Sequence, residues 1–325
     1  MGKQIIAVDL GGTQIRTARY DEHLNLLQRE NTLTLAHEGL DATLGRIKEY
    51  IHKVMPDDKS AVRGIGFSAP GPLNPVTGVI VAPPNLGGWH NVPLADIIHD
   101  EFDVPVFVGT DANVAALAET TKGAAKGHRH VVFLTISTGI GGGMICDGMM
   151  LLGREGLGAE AGHIPMIVED GKVSSLENEA AGPAIAEQVR QRIEAGETSI
   201  VSELVQGDLS KIDAKVVGQA AVQGDTIAID QLAYAGRIIG IGIVTLLHLF
   251  NPEVIVIGGG VSKTGDLLFE PMWKAIREHV LDIAYIENLK IEKSILADDV
   301  ALVGAAALVA TDGGRMDVRE LTHLL

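Results

Sequence analysis

The segment Ile5-Ile6-Ala7-Val8-Asp9-Leu10-Gly11-Gly12-Thr13-Gln14-Ile15-Arg16 constrains the fold of this chain more than any other. An apolar β-run ends in one carboxylate, turns on two glycines, and returns as a second strand from Ile15 to Tyr20. Adjacent glycines open backbone angles closed to other residues, so such a turn can approach a ligand closely. Thr13 adds a hydroxyl, and inward-pointing backbone N–H groups would cradle a phosphate. Asp9 could hold a hydrated Mg²⁺ beside that phosphate. An ordinary Gly-Gly hairpin explains the same residues equally well.

Two further segments tilt the balance. Val131 to Ser137 is an apolar strand that runs into Thr138-Gly139-Ile140-Gly141-Gly142-Gly143 and then Met144-Ile145-Cys146. Val254-Ile255-Val256-Ile257-Gly258-Gly259-Gly260-Val261-Ser262 reads as a buried strand ending in glycines before a helical stretch. Each alone is weak. Together they suggest a nucleotide held between two related lobes.

Composition narrows the classes. A chain of 325 residues, 46% of them hydrophobic, can build two domains or one large one. The net charge of −16 disfavours nucleic-acid binding, which needs a basic surface. The one cysteine, Cys146, excludes an intrachain disulfide and any multi-cysteine zinc site, and its apolar strand marks it as a small core residue. No signal peptide is visible. The apolar run Ile238 to Phe250 is too short to span a bilayer and contains His248, so it reads as a buried helix. The expectation is a soluble, cytoplasmic protein without a membrane partner.

Along the chain, two hairpin strands and a third near Leu24–Thr32 precede a helix over roughly Gly39–Val54 and a strand over Val62–Phe67. Ser68-Ala69-Pro70-Gly71-Pro72 is a strong stop. A helix near Leu94–Glu101, a strand over Val104–Gly109 and a helix from Thr110 to about Lys122 follow. The Gly- and Lys-containing stretch Lys122–Gly127 reads as a linker. The expected domains are therefore a small α/β lobe, 1–122, with a C-terminal helix (about 303–325) packing back on it, and a large α/β lobe, 123–302. Helices near Glu179–Ala195, Ile229–Phe250 and Leu267–Val280 and a strand over Glu253–Ile257 belong to the second.

Phosphate cradles imply a phosphoryl donor, and Asp111, at a strand-to-helix junction, is the candidate proton acceptor for a hydroxyl nucleophile. A helix cap is the competing role for this residue type. Glu160 and His163, three residues apart, would share one face of a helical turn and could bond adjacent sugar hydroxyls; a surface pair explains them as well. Glu177 is a third carboxylate, by itself a solvated one. Asn85 offers a donor and an acceptor, or serves as a turn residue. Trp89 either shields a pocket or fills the core.

The chain resembles the ROK family of sugar kinases, especially bacterial glucokinases, over nearly its full length. The likeness rests on Asp9-Leu10-Gly11-Gly12-Thr13, Asn85-Leu86-x-Gly88-Trp89, Asp111-Ala112-Asn113, Ser137 to Gly143, Glu160-x-Gly162-His163, Leu176-Glu177 and Ile257 to Ser262. It implies an α/β, actin-like (ribonuclease H-like), two-lobed ATPase fold that closes on sugar and ATP and so excludes water. It implies Asp111 as the base for the sugar 6-hydroxyl, with Asn85, Glu160, His163 and Glu177 on the other hydroxyls. It implies Asp9, Gly11, Gly12, Thr13, Thr138 and Gly139 on the phosphate side, Gly258, Gly259 and Gly260 on the adenosine side, Mg²⁺ as cofactor, and a homodimer. Two departures stand out. Many members hold a structural zinc with one histidine and three cysteines, whereas the stretch Ile164–Ser175 has no cysteine, so no zinc is expected and packing or hydrogen bonds must position His163. Thr110 stands where the family usually has an asparagine that contacts the sugar, which puts sugar preference in question.

The leading expectation is ATP-dependent phosphorylation of a hexose, glucose first. Polyphosphate as donor is an alternative, weakly opposed by the acidic charge. Fructose, mannose or an N-acetylhexosamine are alternative acceptors. A non-catalytic sugar-binding regulator is the alternative of another class; regulators of this kind carry an N-terminal helix-turn-helix, for which a hairpin beginning at Ile5 leaves no room.

Overall fold

The computed structural model describes residues 2–168 and 171–322. Glu169 and Asp170 of the cysteine-free stretch, and residues 323–325 of the expected C-terminal helix, lie outside them. Contacts divide the chain into two units, the first formed by 1–133, 143–159 and 294–325 and the second by 134–142 and 160–293.

The first unit is built on a five-stranded sheet in the order Leu26–Leu33, Gln14–Tyr20, Gln4–Leu10, Val62–Ala69, Val106–Thr110. Gln4–Leu10 is buried along most of its length, as an apolar central strand must be. It pairs antiparallel with Gln14–Tyr20, placing Asp9 opposite Arg16, and parallel with Val62–Ala69, placing Asp9 beside Ser68. Helix Leu40–Val54 buries Leu44, Ile47, Ile51 and Val54, an i, i+3/i+4 stripe, in a core that includes Val8, Phe67 and Trp89. Trp89 is thus a core residue. Helix Val300–Ala310 buries Leu302 through Ala310 and lies on the sheet so closely that a Cβ on Gly66 would sit 1.9 Å from the Ala305 carbonyl oxygen.

The stretch Lys122–Gly127 falls inside the first unit. The reason is Glu119, fully buried near the end of helix Asp111–Thr121. Its Oε2 accepts the Ala124 N–H at 2.8 Å, and its Oε1 accepts the Ser294 hydroxyl at 2.5 Å. One buried carboxylate therefore ties down both the loop after the helix and the chain segment that re-enters the unit.

In the second unit the buried strand Val254–Gly258 pairs parallel with Lys290–Lys293. Around it are helices Gly182–Glu194, Ala214–Val222, Thr226–Phe250 and Asp266–His279. Helix Thr226–Phe250 begins well before the expected apolar run, at an Asp225 cap whose carboxylate accepts the Ala228 N–H at 2.9 Å. At 25 residues it starts close to the expected Ile229 and is long and apolar enough to cross a bilayer, so the reading of this stretch as too short to span one does not hold. It is nonetheless a core helix: a Cβ on Gly236 or Gly240 would fall 2.4 or 2.5 Å from carbonyl oxygens of helix Asp266–His279. The unit division passes through strands Val131–Ile136 and Ile140–Cys146. Cys146 ends its strand half-exposed rather than as a full core residue, because the turn after it leaves one side open.

Candidate functional site

The chemistry of the first unit gathers at the C-terminal ends of its parallel strands, where open α/β sheets bind ligands. Asp9 ends the first strand and is 9% exposed. Arg16, opposite it, directs Nε and Nη2 to the same oxygen, Asp9 Oδ2, at 2.6 and 2.5 Å, and Nη1 to the Asp298 carbonyl at 2.6 Å. Burial pushes the Asp9 carboxyl above its usual range, against the pull of Arg16. Asp9 Oδ1 stays clear of this pair, which suits a carboxylate offered to a metal ion. Among the described residues no preformed three-ligand metal cluster exists.

Asp111 is the first residue of helix Asp111–Thr121, after the strand Val106–Thr110. The capping position belongs to Thr110, whose side chain makes no cap bond. Asp111 is therefore not the helix cap; its Oδ1 accepts the hydroxyl of Ser68 at 2.8 Å. The residue keeps an open face to solvent, while the protein packed around it and the neighbouring Asp9 charge raise its carboxyl above the usual range. The Ser68 hydrogen bond and Arg16 pull the other way and lose.

The turn after the first strand uses its glycines differently from expectation. Gly11 and Gly12 are not in the left-handed region. A Cβ on Gly12 would stand 2.9 Å from Cβ of Asn85, so glycine there admits the Asn85 loop rather than an unusual angle. Asn85 and Thr13 are both exposed at this turn. Thr34 fixes the turn, its N–H bonding the Thr13 carbonyl at 2.8 Å and its hydroxyl the Gly11 carbonyl at 2.6 Å.

In the second unit Glu177 is anchored rather than solvated. Its Oε2 accepts the Ile140 N–H at 2.7 Å, and a Cβ on Gly139 would come 2.5 Å from that oxygen. Glu160 and His163 flank a short 3₁₀ turn, both exposed, with no side-chain hydrogen bond or ion pair among the described residues. The turn is seated by Gly162, whose missing Cβ would lie 2.0 Å from the Ile140 carbonyl oxygen. Behind it, Pro165–Ile167 pairs with Val173–Ser175 in a hairpin. Backbone packing at Gly162 and the strand pairing behind it set the backbone of this turn, while the His163 side chain stays exposed.

The second unit also holds a cavity of about 1080 Å³, large enough for a nucleotide. Ser137 and Thr138 line it from the glycine turn, and Gly182 and Pro183 bring a helix N-terminus to it. Lys215, Gly218 and Gln219 come from helix Ala214–Val222, and Gly260, Lys263 and Thr264 from the segment after strand Val254–Gly258. Gly260 lines this cavity, whereas Gly258, Gly259 and Gly139 do not. Gly259 is backbone machinery: it has φ +88°, and its Cβ would lie 2.2 Å from the Ile136 carbonyl oxygen. The cavity's cations Arg190, Lys215 and Lys263 and its bare glycine surfaces fit a polyphosphate carried on a flat base.

Sequence reading missed Ser68, Arg16 as partner of Asp9, and the whole helix Ala214–Val222. Gly218 was the available signal for that helix, a glycine inside an Ala- and Val-rich run, where it costs helix stability unless something packs close. Here Thr264 does, 3.1 Å from where its Cβ would be.

The ROK family profile matches residues 5–312. The glucokinase of Thermotoga maritima is 34% identical over 320 residues, covering 94% of this chain and 97% of its own length. The crystal structure of a ROK family glucokinase from Streptomyces griseus with glucose and AMPPNP is similar at a TM-score of 0.74 and 31% identity, covering 94% of this chain and 98% of that one. The DNA-binding transcriptional dual regulator NagC of Escherichia coli is 31% identical over 294 residues, covering 89% of this chain and 69% of its own. The actin-like α/β fold expected from the sequence holds.

Proposed function

The chain belongs to the ROK family, and we propose that it is a sugar kinase that transfers the terminal phosphoryl group of ATP to the 6-hydroxyl of a hexose, with glucose the leading acceptor. The observation that carries the proposal is Asp111: a carboxylate open to solvent, raised above its ordinary pKa, with one oxygen held and the other available. A base poised in this way takes the hydroxyl proton as the oxygen attacks. The O–H bond breaks with its proton passing to Asp111, the new O–P bond forms, and the bond to the leaving diphosphate breaks. Mg²⁺, when bound, would supply positive charge that offsets the charge of the donor phosphates. Asp9 would hold its hydration shell, with Arg16 orienting it and opposing the upward push of burial on its carboxyl. Gly11, Gly12, Thr13, Thr138 and Gly139 are the proposed phosphate contacts. Asn85, Thr110, Glu160, His163 and Glu177 are the proposed partners of sugar hydroxyls; Gly258, Gly259 and Gly260 shape the adenosine side. The burial of most of helix Thr226–Phe250 favours its reading as a core helix over a membrane span; a cytoplasmic homodimer is the proposed state.

The deciding experiment is a coupled ADP-release assay with Mg-ATP against a panel of hexoses, with polyphosphate run in parallel and sugar phosphate detected directly. Turnover with glucose and ATP is expected. Turnover with another hexose or with polyphosphate alone would move the specificity and keep the site. The similarity to NagC favours one second reading, a sugar-responsive regulator; sugar binding without turnover on any pair would select it.

A further inference from the structure

The geometry points to Ser68 as the positioning residue of the proposed base: its hydroxyl locks Asp111 Oδ1 and so makes Oδ2 the oxygen that receives the proton. The inference rests on the kinase reading and goes one step deeper into the same site.

Ser68 belongs to strand Val62–Ala69, where the parallel register sets it beside Asp9 on one neighbour and Gly109 on the other. Its side chain is fully buried. A buried hydroxyl needs a partner, and its hydrogen bond is the 2.8 Å donation to Asp111 Oδ1. Asp111 Oδ2 has no hydrogen bond among the described residues. A carboxylate at the exposed start of a helix would otherwise rotate about χ2 and present either oxygen. With Oδ1 held from inside the sheet, the carboxylate plane is set and Oδ2 is presented outward.

The same bond tunes the group. Burial and the Asp9 charge favour a protonated Asp111, which would be useless as a base; Ser68 and the Arg16 charge favour the ionised form. Of these, Ser68 alone touches Asp111 directly. A hydrogen bond to a charged oxygen is strong enough to move a titration by about one pH unit when it is lost.

The test compares Ser68→Ala, Ser68→Thr and wild type by carbon-13 NMR titration of aspartate carboxyls, with Asp111 assigned through Asp111→Asn. Ser68→Ala should raise the Asp111 midpoint by about one unit and move the acidic limb of the kcat profile upward equally. On the acidic limb, below the wild-type midpoint, kcat should fall about 10-fold with little change in sugar KM, and Ser68→Thr should restore both midpoint and kcat. A Ser68→Ala protein with native near-ultraviolet circular dichroism and an unmoved Asp111 midpoint would overturn the inference. If alanine prevents folding, Ser68→Cys keeps the volume with a weaker donor; a raised midpoint supports the assignment and an unchanged one refutes it. A wild-type protein without phosphoryl transfer would count against the kinase reading alone, since the NMR midpoint still decides the role of Ser68.

Discussion

The Asp111 region of the first unit and the cavity of the second handle charge in opposite ways. Around Asp111 the titratable groups are carboxylates held by side chains: Arg16 on Asp9, Ser68 on Asp111. The sheet register alone brings Asp9, Arg16 and Ser68 together. Around the cavity the working groups are cations and backbone: Arg190, Lys215, Lys263 and the N-terminal end of helix Gly182–Glu194. Its one acidic lining residue, Asp213, is occupied as a helix cap on the Val216 N–H at 2.8 Å. In a chain of net charge −16, cations lining one cavity are a local reversal of the overall balance. On the proposed kinase reading the contrast separates two tasks, accepting a proton and receiving a polyanion, and that reading expects each to be damaged without the other.

The strongest way to break that separation is Asp111→Asn. It should lower kcat by about 10³-fold, the range expected for loss of a general base, with nucleotide affinity within about twofold of wild type by calorimetry. A parallel loss of nucleotide affinity would show that the two regions are not independent. Next in size is Gly259→Ala, which must place a Cβ against the Ile136 carbonyl at a left-handed φ. A loss of about 2–4 kcal/mol in urea unfolding is expected, and an unaltered midpoint would contradict the close approach. Smaller again is the pair Lys215→Ala and Lys263→Ala: together they should raise the KM for ATP by about 3- to 10-fold with kcat and sugar KM near wild type. An effect on kcat alone would place these lysines on the reacting phosphate rather than on donor binding.

The two regions were also unequally legible. Asp9, Asp111 and the glycine turns stand in contiguous strand-turn and strand-helix signals, so local pattern marked them as candidates and the family resemblance gave them their expected roles. Ser68 was read as part of a Ser-Ala-Pro-Gly-Pro stop, and nothing local says that its hydroxyl faces Asp111; that contact spans |i−j| = 43 and exists through strand pairing. Glu177 looked solvated because its partner, the Ile140 N–H, lies in another turn of the chain. The cavity was the least legible part. Helix Ala214–Val222 is short, and its lining residues recur with no motif that distinguishes a nucleotide wall from an ordinary amphipathic face. The α/β character showed in the alternation of apolar strands and helices, and the actin-like fold came from the family resemblance. The path of the chain between units did not, because Glu119 recruits Lys122–Gly127 by a buried hydrogen bond that composition cannot reveal.

The smallest effect separates the regions by stability rather than rate. Asp111 has its folded pKa raised above the unfolded value, so the folded state binds this proton more readily than the unfolded one. Its contribution to stability therefore improves as pH falls through the raised folded pKa toward the ordinary aspartate value, and is a penalty at neutral pH. Asp111→Asn removes the charge and keeps a carbonyl oxygen that can accept from Ser68, so it should raise Tm at neutral pH by about 1–3 °C while lowering kcat as above. The advantage should shrink as the pH falls below the Asp111 midpoint, where wild type is protonated too. Lys263→Met, at an exposed cation of the cavity, should leave Tm within about 1 °C at either pH. Calorimetry at the two pH values decides the point. A lower Tm for Asp111→Asn, or a gain that grows on acidification, would mean that the carboxylate is a structural anchor and that the first unit's charges are not held against the fold.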